Sequence, residues 1–414
     1  MLRVLTCLVR PLDLTGRLGG GLRRFVEVAA RIHRCGVKYL IVESEPFLRS
    51  FGYFTRMNEV AANHSVISFH VPWEAAVNRR VLGPIVFWLK LLMVTFVAVR
   101  TARSSRAQLI LAPGETLPEV IVAWTCAKLT TRPAVVVAQS DPFLHIGTYQ
   151  MKGVRSAYAA LRTLYNPLTA FVEALTAQLH IRALNDMTLL IVGRSLFEVL
   201  RGRGITGITA LAVENGVDFE MIDVAPQSQL HADAVYVGRV DISKGMKELL
   251  HAWAQLGKTR SELRLAVVGP VQEGLRERIE TVTSSSGGRI SYLGALSDAG
   301  VISVLKSCRV LVLPSIFESF SLVAAEALAC SIPVISYDSP GVREFFPTSA
   351  VKIVPAGDAA GLVSAVKELL ENNDELLRLG KIGREFVSRY SWEKVAREEA
   401  AIYRQLVERK FADG

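Results

Sequence analysis

Residues 315 to 335, SIFESFSLVAAEALACSIPVI, carry two glutamates, Glu318 and Glu326, eight positions apart. The run before them, VLVLP at 310 to 314, is short, apolar and β-branched, as a buried parallel strand requires. Ser315 to Phe320 reads as a loop. From Ser321 the Ala- and Leu-rich stretch predicts a helix, with the Ser321 hydroxyl available to accept from the first free N–H groups. Glu326 then stands roughly 7.5 Å of axial rise inside the helix and Glu318 in the loop before it. The N–H groups of Phe320, Ser321 and Leu322 point between the two carboxylates. A second stretch, YVGRVDISKG at 236 to 245, ends another buried strand at Gly238 and places Arg239 and Lys244 around a loop before the helical MKELLHAWAQL. Two cations at a strand end beside a helix start are what a diphosphate needs. Parallel strands whose carboxyl ends meet at one crevice can bring both stretches to one ligand. The layout suits a nucleoside diphosphate sugar: phosphates at the helix start and cations, ribose hydroxyls on one carboxylate, sugar on the other.

Such a crevice needs an α/β scaffold, and short apolar runs alternate with helical patterns along the whole chain. Strands are expected at Val4 to Val9, Tyr39 to Glu43, Leu109 to Ala112, Ala134 to Ala138 and Leu189 to Val192. A second series covers Ala234 to Val237, Leu263 to Val268, Ile290 to Leu293, Val310 to Leu313 and Val334 to Ser336. The series breaks at the polar, Pro226-containing stretch from Met221 to Asp233, read as a linker. At 414 residues, half of them hydrophobic, the chain has enough material for two cores. One long helical stripe, Val154, Tyr158, Leu161, Tyr165, Leu168, Val172, Leu175 and Leu179, is expected to kink at Pro167, with Lys152, Arg155 and Arg162 off the stripe.

The net charge of +9 admits an anionic partner: nucleic acid, acidic lipid or a phosphorylated small molecule. Arg23, Arg24, Arg31 and Arg34 cluster with a single aromatic, Phe25, among them and no recognised binding module appears, so a nucleic-acid partner is not expected. The five cysteines are scattered in apolar runs with no C-x-x-C pair and read as free buried thiols; the seven histidines show no metal-ligand spacing. The first apolar run, six residues between Arg3 and Arg10, is too short for a signal-peptide core. The most apolar stretch, Ile85 to Val99, spans roughly 22 Å as a helix against a hydrocarbon core of roughly 30 Å, so it reads as a buried helix, with a membrane surface as the alternative.

In order and spacing, GRVDISKG, VVGP at 267 to 270, YLGALSD at 292 to 298, the stretch around Glu318 and SPGVREFF at 339 to 346 resemble the carboxyl-terminal half of glycosyltransferase family 4. In the first half GRLGGGLRRFVEVAARIHRCG resembles that family's Gly-rich opening, VENGVD at 213 to 218 its interdomain motif, and YSWEKVAREEAAIYRQL at 390 to 406 its terminal helix. The resemblance implies a GT-B fold, two Rossmann-like α/β domains with a cleft between them. Residues 1–220 would bind acceptor, 221–233 link, and 234–390 bind nucleotide sugar, with 391–414 a helix packing back on the first domain. It implies a retaining, hexosyltransferase-type enzyme that moves a sugar from a nucleoside diphosphate sugar to a glycan or lipid-linked acceptor hydroxyl. No metal and no cofactor would be required. The implied location is the cytoplasm, at the inner face of an anionic membrane for a lipid acceptor. On matched positions Arg239 and Lys244 would hold the diphosphate, Glu318 the transferred sugar and Glu326 the ribose. Gly20 and Gly21 would admit the donor from the first domain. Gly238, Gly269, Leu293, Ser319, Phe320, Ser321 and Leu322 would complete the donor site.

The family usually has glycine where Ser319, Ser321 and Ser331 stand, which keeps a catalytically inactive binding subunit as an alternative. The family's first-domain histidine has no clear match; His145 and Asp141 stand in its neighbourhood. A sugar-nucleotide epimerase shares the need for a diphosphate clamp. A nicotinamide dehydrogenase would use GRLGGGLRR with Glu43 as the ribose acid, but the third glycine of its motif falls on Arg24, whose side chain would obstruct close helix–strand packing.

Overall fold

The computed structural model describes residues 1–8, 20–44, 56–69, 83–141, 157–158, 161, 167–205, 210–241, 244–271 and 275–412. They fall into two compact units, one of Met1–Gly52, Arg56–Glu214 and Glu393–Gly414, the other chiefly Asn215–Trp392. The division falls at Glu214, before the 221–233 stretch expected to be a linker. That stretch opens inside a helix, whose start is capped by Asp218 accepting from the Met221 N–H at 3.0 Å.

The first unit contains strands β1 (Leu2–Leu8), β2 (Val37–Ser44), β3 (Ser65–Phe69), β4 (Leu109–Ala112), β5 (Ala134–Ala138), β6 (Thr188–Val192) and β7 (Ala210–Val213). Its helices are α1 (Gly20–Ile32), α2 (Met57–Asn63), α3 (Gly83–Ser104), α4 (Leu117–Thr130), α5 (Pro167–Asn185) and α6 (Arg194–Gly202). All strand pairs are parallel, in the order β3-β2-β1-β4-β5-β6-β7, so the direction of winding reverses between β1 and β4. The second unit has α7 (Phe219–Val224), β8 (Ala232–Val237), α8 (Met246–Thr259), β9 (Leu265–Val268), α9 (Arg276–Ser285), β10 (Ile290–Gly294) and α10 (Asp298–Leu305). It continues with β11 (Cys308–Leu313), α11 (Leu322–Ala329), β12 (Val334–Tyr337), α12 (Pro340–Phe345), β13 (Val351–Val354), α13 (Ala359–Glu371) and α14 (Asn373–Val387); α15 (Trp392–Ala412) follows. Its parallel order β10-β9-β8-β11-β12-β13 reverses between β8 and β11. Central strands such as β4 and β9 are apolar and buried on both faces, as helices on both sides demand.

Two helices differ from expectation. α5 runs from Pro167 to Asn185, and the residues that would form the expected kink with it, 162–166, lie outside the described residues. Its buried residues include Ala170, Ala174, Ala177, Ile181 and Leu184, while Val172 and Leu175 of the expected stripe are exposed. Small side chains let α5 close on α4, which turns the larger ones outward. Lys152, Val154, Arg155, Arg162 and Tyr165 lie outside the described residues. α3, expected to be buried, buries Lys90, Leu91, Val94 and Ala98 but exposes Leu92 and Phe96.

In the first unit α15 packs against α1 through charge. Arg24 and Glu399 form an ion pair at 2.5 Å with both side chains 2% exposed, and Arg31 meets Glu27 and Glu393, each at 2.6 Å. Two of the four arginines of the basic cluster are therefore internal partners of carboxylates. The cysteines are free thiols, with Cys7, Cys126 and Cys308 buried.

Candidate active site

The two chemical stretches follow β8 and β11, the adjacent strands at which the second sheet reverses its winding. In open parallel sheets such a switch point leaves a crevice at the carboxyl ends, because the flanking connections depart to opposite faces. After β8, Gly238 has φ +158 and the Tyr236 hydroxyl donates to the Arg239 carbonyl at 2.5 Å, which folds the chain back over the strand end. A side chain on Gly269 would lie 1.9 Å from the Gly238 carbonyl oxygen, so the ends of β8 and β9 touch backbone to backbone. Asp241 organises the next turn: its Oδ1 accepts from the Lys244 N–H at 2.9 Å and its Oδ2 stands 3.3 Å from Arg239 Nε. Gly245, at φ +72, closes the turn against Pro314, whose carbonyl oxygen would be 2.0 Å from any Cβ there.

That approach joins the stretches. Lys244 Nζ donates to Glu318 Oε1 at 2.6 Å, in a pair that is mostly but not fully buried, while the Arg239 side chain is 58% exposed. The Gly341 N–H donates to the Glu318 carbonyl at 2.8 Å; a Cβ on Gly341 would clash with Ser319, so the glycine of SPGVREFF admits the Glu318 loop. Phe320 is buried among Phe345, Phe346 and Tyr390, with ring centroids 4.7, 5.2 and 5.4 Å away, so its ring is a core anchor and its backbone N–H is what it can offer a ligand. The N–H groups of Phe320, Ser321 and Leu322 carry no hydrogen bond among the described residues. Glu326 lies in the fifth position of α11 and is buried.

Ser321 corrects the expected cap. It precedes α11 but its hydroxyl makes no capping bond, and its backbone is left-handed at φ +75, ψ +84. Ser331, which follows α11, is also left-handed at φ +61. These are two of the places where the family usually has glycine, and the reason is now conformational. A non-glycine residue there is strained by about 1–2 kcal/mol. The hydroxyls of Ser315, Ser321 and Ser339 are moreover buried with no hydrogen-bond partner among the described residues. Ser321→Gly should relieve the strain and remove a desolvated hydroxyl costing about 1–3 kcal/mol, against up to about 1 kcal/mol of added unfolded-chain entropy. The expected result is a melting temperature higher by at least about 2–4 °C, read by circular dichroism; a lower one would show that the hydroxyl is engaged.

Gly269 and Leu293 sit at the ends of β9 and β10, one and two strands from the switch point. The two strand ends are linked by the Gly269 N–H donating to the Gly294 carbonyl at 2.8 Å and the Tyr292 hydroxyl donating to the Gly269 carbonyl at 3.0 Å, on either side of Leu293. Gly20 and Gly21 open α1 in the other unit. Asp141 is buried and its Oδ2 accepts from both Arg203 Nη2 and Nε, at 2.6 and 3.1 Å; His145 lies outside the described residues. Glu43 is buried at the end of β2 with neither carboxyl oxygen hydrogen-bonded among the described residues, and burial pushes its pKa up to about 8. A neutral, enclosed carboxyl group does not offer the ionised acceptor that a dinucleotide ribose requires. Asp241 was missed in the sequence, although Asp three residues before Lys-Gly is a recognisable side-chain-to-backbone turn signal. Among the described residues no three His, Cys, Asp or Glu side chains converge as a metal cluster.

The family model for Glycosyl transferases group 1 matches residues 226–386, which contain both stretches. The phosphatidyl-myo-inositol mannosyltransferase of Mycobacterium leprae is 31% identical over 262 residues, 59% of this chain and 68% of that protein. The chain is a group 1 glycosyltransferase. The resemblance read from the second-half motifs holds, and so does the transferase class. Among solved structures, this glycosyltransferase superposes on sucrose-phosphate synthase from Thermosynechococcus elongatus with a TM-score of 0.74 at 19% identity, all of each chain being covered. It superposes on Anabaena HepE in complex with UDP and glucose with a TM-score of 0.69 at 15% identity, covering 98% of this chain and 100% of that one. Those likenesses fix the fold as GT-B.

Proposed function

We propose that the glycosyltransferase takes a nucleoside diphosphate sugar at the switch point of its second unit and moves the sugar, with retention of anomeric configuration, to a hydroxyl of a glycan or lipid-linked acceptor. The observation that carries this reading is the Lys244–Glu318 contact, which brings the expected diphosphate cation and the expected sugar carboxylate to one crevice beside the start of α11. The three hydroxyls around the same loop that lack partners, and its free N–H groups, are polar capacity that a phosphate or sugar would use. HepE, of the same fold, was solved with UDP and glucose, and the M. leprae relative is named for a phosphatidylinositol acceptor.

In this reading Arg239, Lys244 and the N–H groups of Ser321 and Leu322 neutralise the departing diphosphate. Glu326 accepts from the ribose hydroxyls, and Glu318 orders both Lys244 and the sugar near its anomeric carbon. The bond from that carbon to phosphate oxygen breaks, the bond to the acceptor oxygen forms on the same face, and the acceptor proton passes to the leaving phosphate. Incubation with a panel of sugar nucleotides, with nucleoside diphosphate release and product anomer read by NMR, tests the proposal. One donor should be consumed with its configuration kept. An inverted product would overturn the stereochemical part, donor binding without turnover would leave the binding-subunit alternative, and absence of binding with every donor would overturn the donor site.

A further inference from the structure

We propose that the outward faces of α3 and α5 form a docking surface for an anionic lipid bilayer. The face on α3 is built at steps of four: Trp88, Leu92 and Phe96, with Leu89 beside them, and Arg100 and Arg103 continuing it toward the helix end. Leu92 and Phe96 are 67% and 69% exposed, and the opposite side of the same helix supplies the buried Leu91, Val94 and Ala98. α5 repeats the pattern with exposed Phe171 and Leu175 followed by Arg182. Single exposed apolar residues are ordinary; two helices of one unit that each turn a row of large apolar residues outward are not. Both helices pack on α4, so the two faces flank one helix.

Charge selects the occupant. The chain carries +9, and each apolar face ends in exposed arginine, the arrangement of a helix lying in a lipid interface with tryptophan at its edge. The exposed apolar row of α3, Trp88 to Phe96, rises only about 12 Å, and no described helix is long and apolar enough to cross a membrane, so the geometry is that of lying on the surface. Topology adds a direction. α3 and α5 precede β4 and β6 in a parallel sheet, so their apolar N-terminal halves lie at the carboxyl edge of that sheet, where such folds place ligands. A lipid-linked acceptor would thus be offered to the working edge of the unit. The inference deepens the acceptor class proposed above, and its test reads binding without turnover, so either can fail alone.

The test is flotation of the full chain with phosphatidylcholine vesicles and with vesicles of equal parts phosphatidylcholine and phosphatidylglycerol. Binding to the anionic vesicles at low salt, weakened at high salt, is expected, with a blue shift in emission that Trp88→Phe removes. Leu92→Glu with Phe96→Glu should cut partitioning by at least about tenfold. Arg100→Gln and Arg103→Gln should each cut it about fivefold on anionic vesicles, all with melting temperature unchanged. Vesicle binding that is absent, or indifferent to Leu92→Glu with Phe96→Glu, overturns the proposal. So does a dimer in solution that Phe96→Glu splits, because the face would then belong to a second copy of the chain.

Discussion

Lys244→Ala should lower kcat by about 10²–10³ while donor KM changes far less. The reason is where charge appears: as the glycosidic bond breaks, the diphosphate gains negative charge that a preorganised cation stabilises more in the transition state than in the bound donor. Lys244 is held for that task by Glu318 at 2.6 Å and by its own N–H on Asp241. The pair is partly exposed, so its removal should cost little stability, and the melting temperature is the control for folding. Arg239→Lys should also be impaired, because a point charge does not reproduce the planar guanidinium fork. Turnover should persist in chelator; a loss there would assign the neutralising charge to a metal ion. Wild-type kcat in Lys244→Ala would remove the clamp from the account.

Arg24→Ala should have the largest effect on stability. It leaves Glu399, 2% exposed, as a buried carboxylate without its cation, a change that costs about 3–5 kcal/mol. Arg24 also donates to the Glu214 carbonyl at 3.2 Å, so the loss reaches a second segment. For a unit of this size the melting temperature should fall on the order of 10 °C. Arg24→Met combined with Glu399→Met should recover most of it, since apolar replacements of similar volume remove both desolvated charges together. A double variant as unstable as Arg24→Ala would mean that the shape of the arginine, rather than its charge, holds α15 to α1.

That arginine shows what the sequence does and does not disclose. Arg24 reads as an obstruction at a motif glycine, and only its partner 375 positions later explains why a charged residue occupies a buried helix face. The ten strands expected from apolar runs are present; nine lie inside the sheets, where burial on both faces demands apolar runs, and the tenth, β10, is an edge strand. The three without such a signal, β3, β7 and β13, are all edge strands. β3 and β13 are only partly buried, so their sequences SVISF and VKIV carry polar residues. The stripe on α5 misled for a different reason: periodicity weighs Val172 and Leu175 above Ala170 and Ala174, whereas close helix packing favours the small side chains. At the site, residue types and order were legible because glycines and charges follow strand ends. The Lys244–Glu318 contact was not, since it depends on the approach of segments 74 residues apart, and neither was the left-handed backbone of Ser321, since a serine carries no preference for that conformation.

Donor-saturation kinetics of Glu318→Gln and Glu326→Gln, measured side by side with the parent enzyme, test the central claim most directly. Glu326, buried in α11, is assigned to ribose hydroxyls that stay bound from ground state to transition state, so its variant should raise donor KM with kcat kept. Glu318 touches Lys244 at the reacting end, so its variant should lower kcat with KM kept. Opposite assignments, or parent kinetics in both variants, would contradict a nucleotide-sugar site at the switch point between β8 and β11.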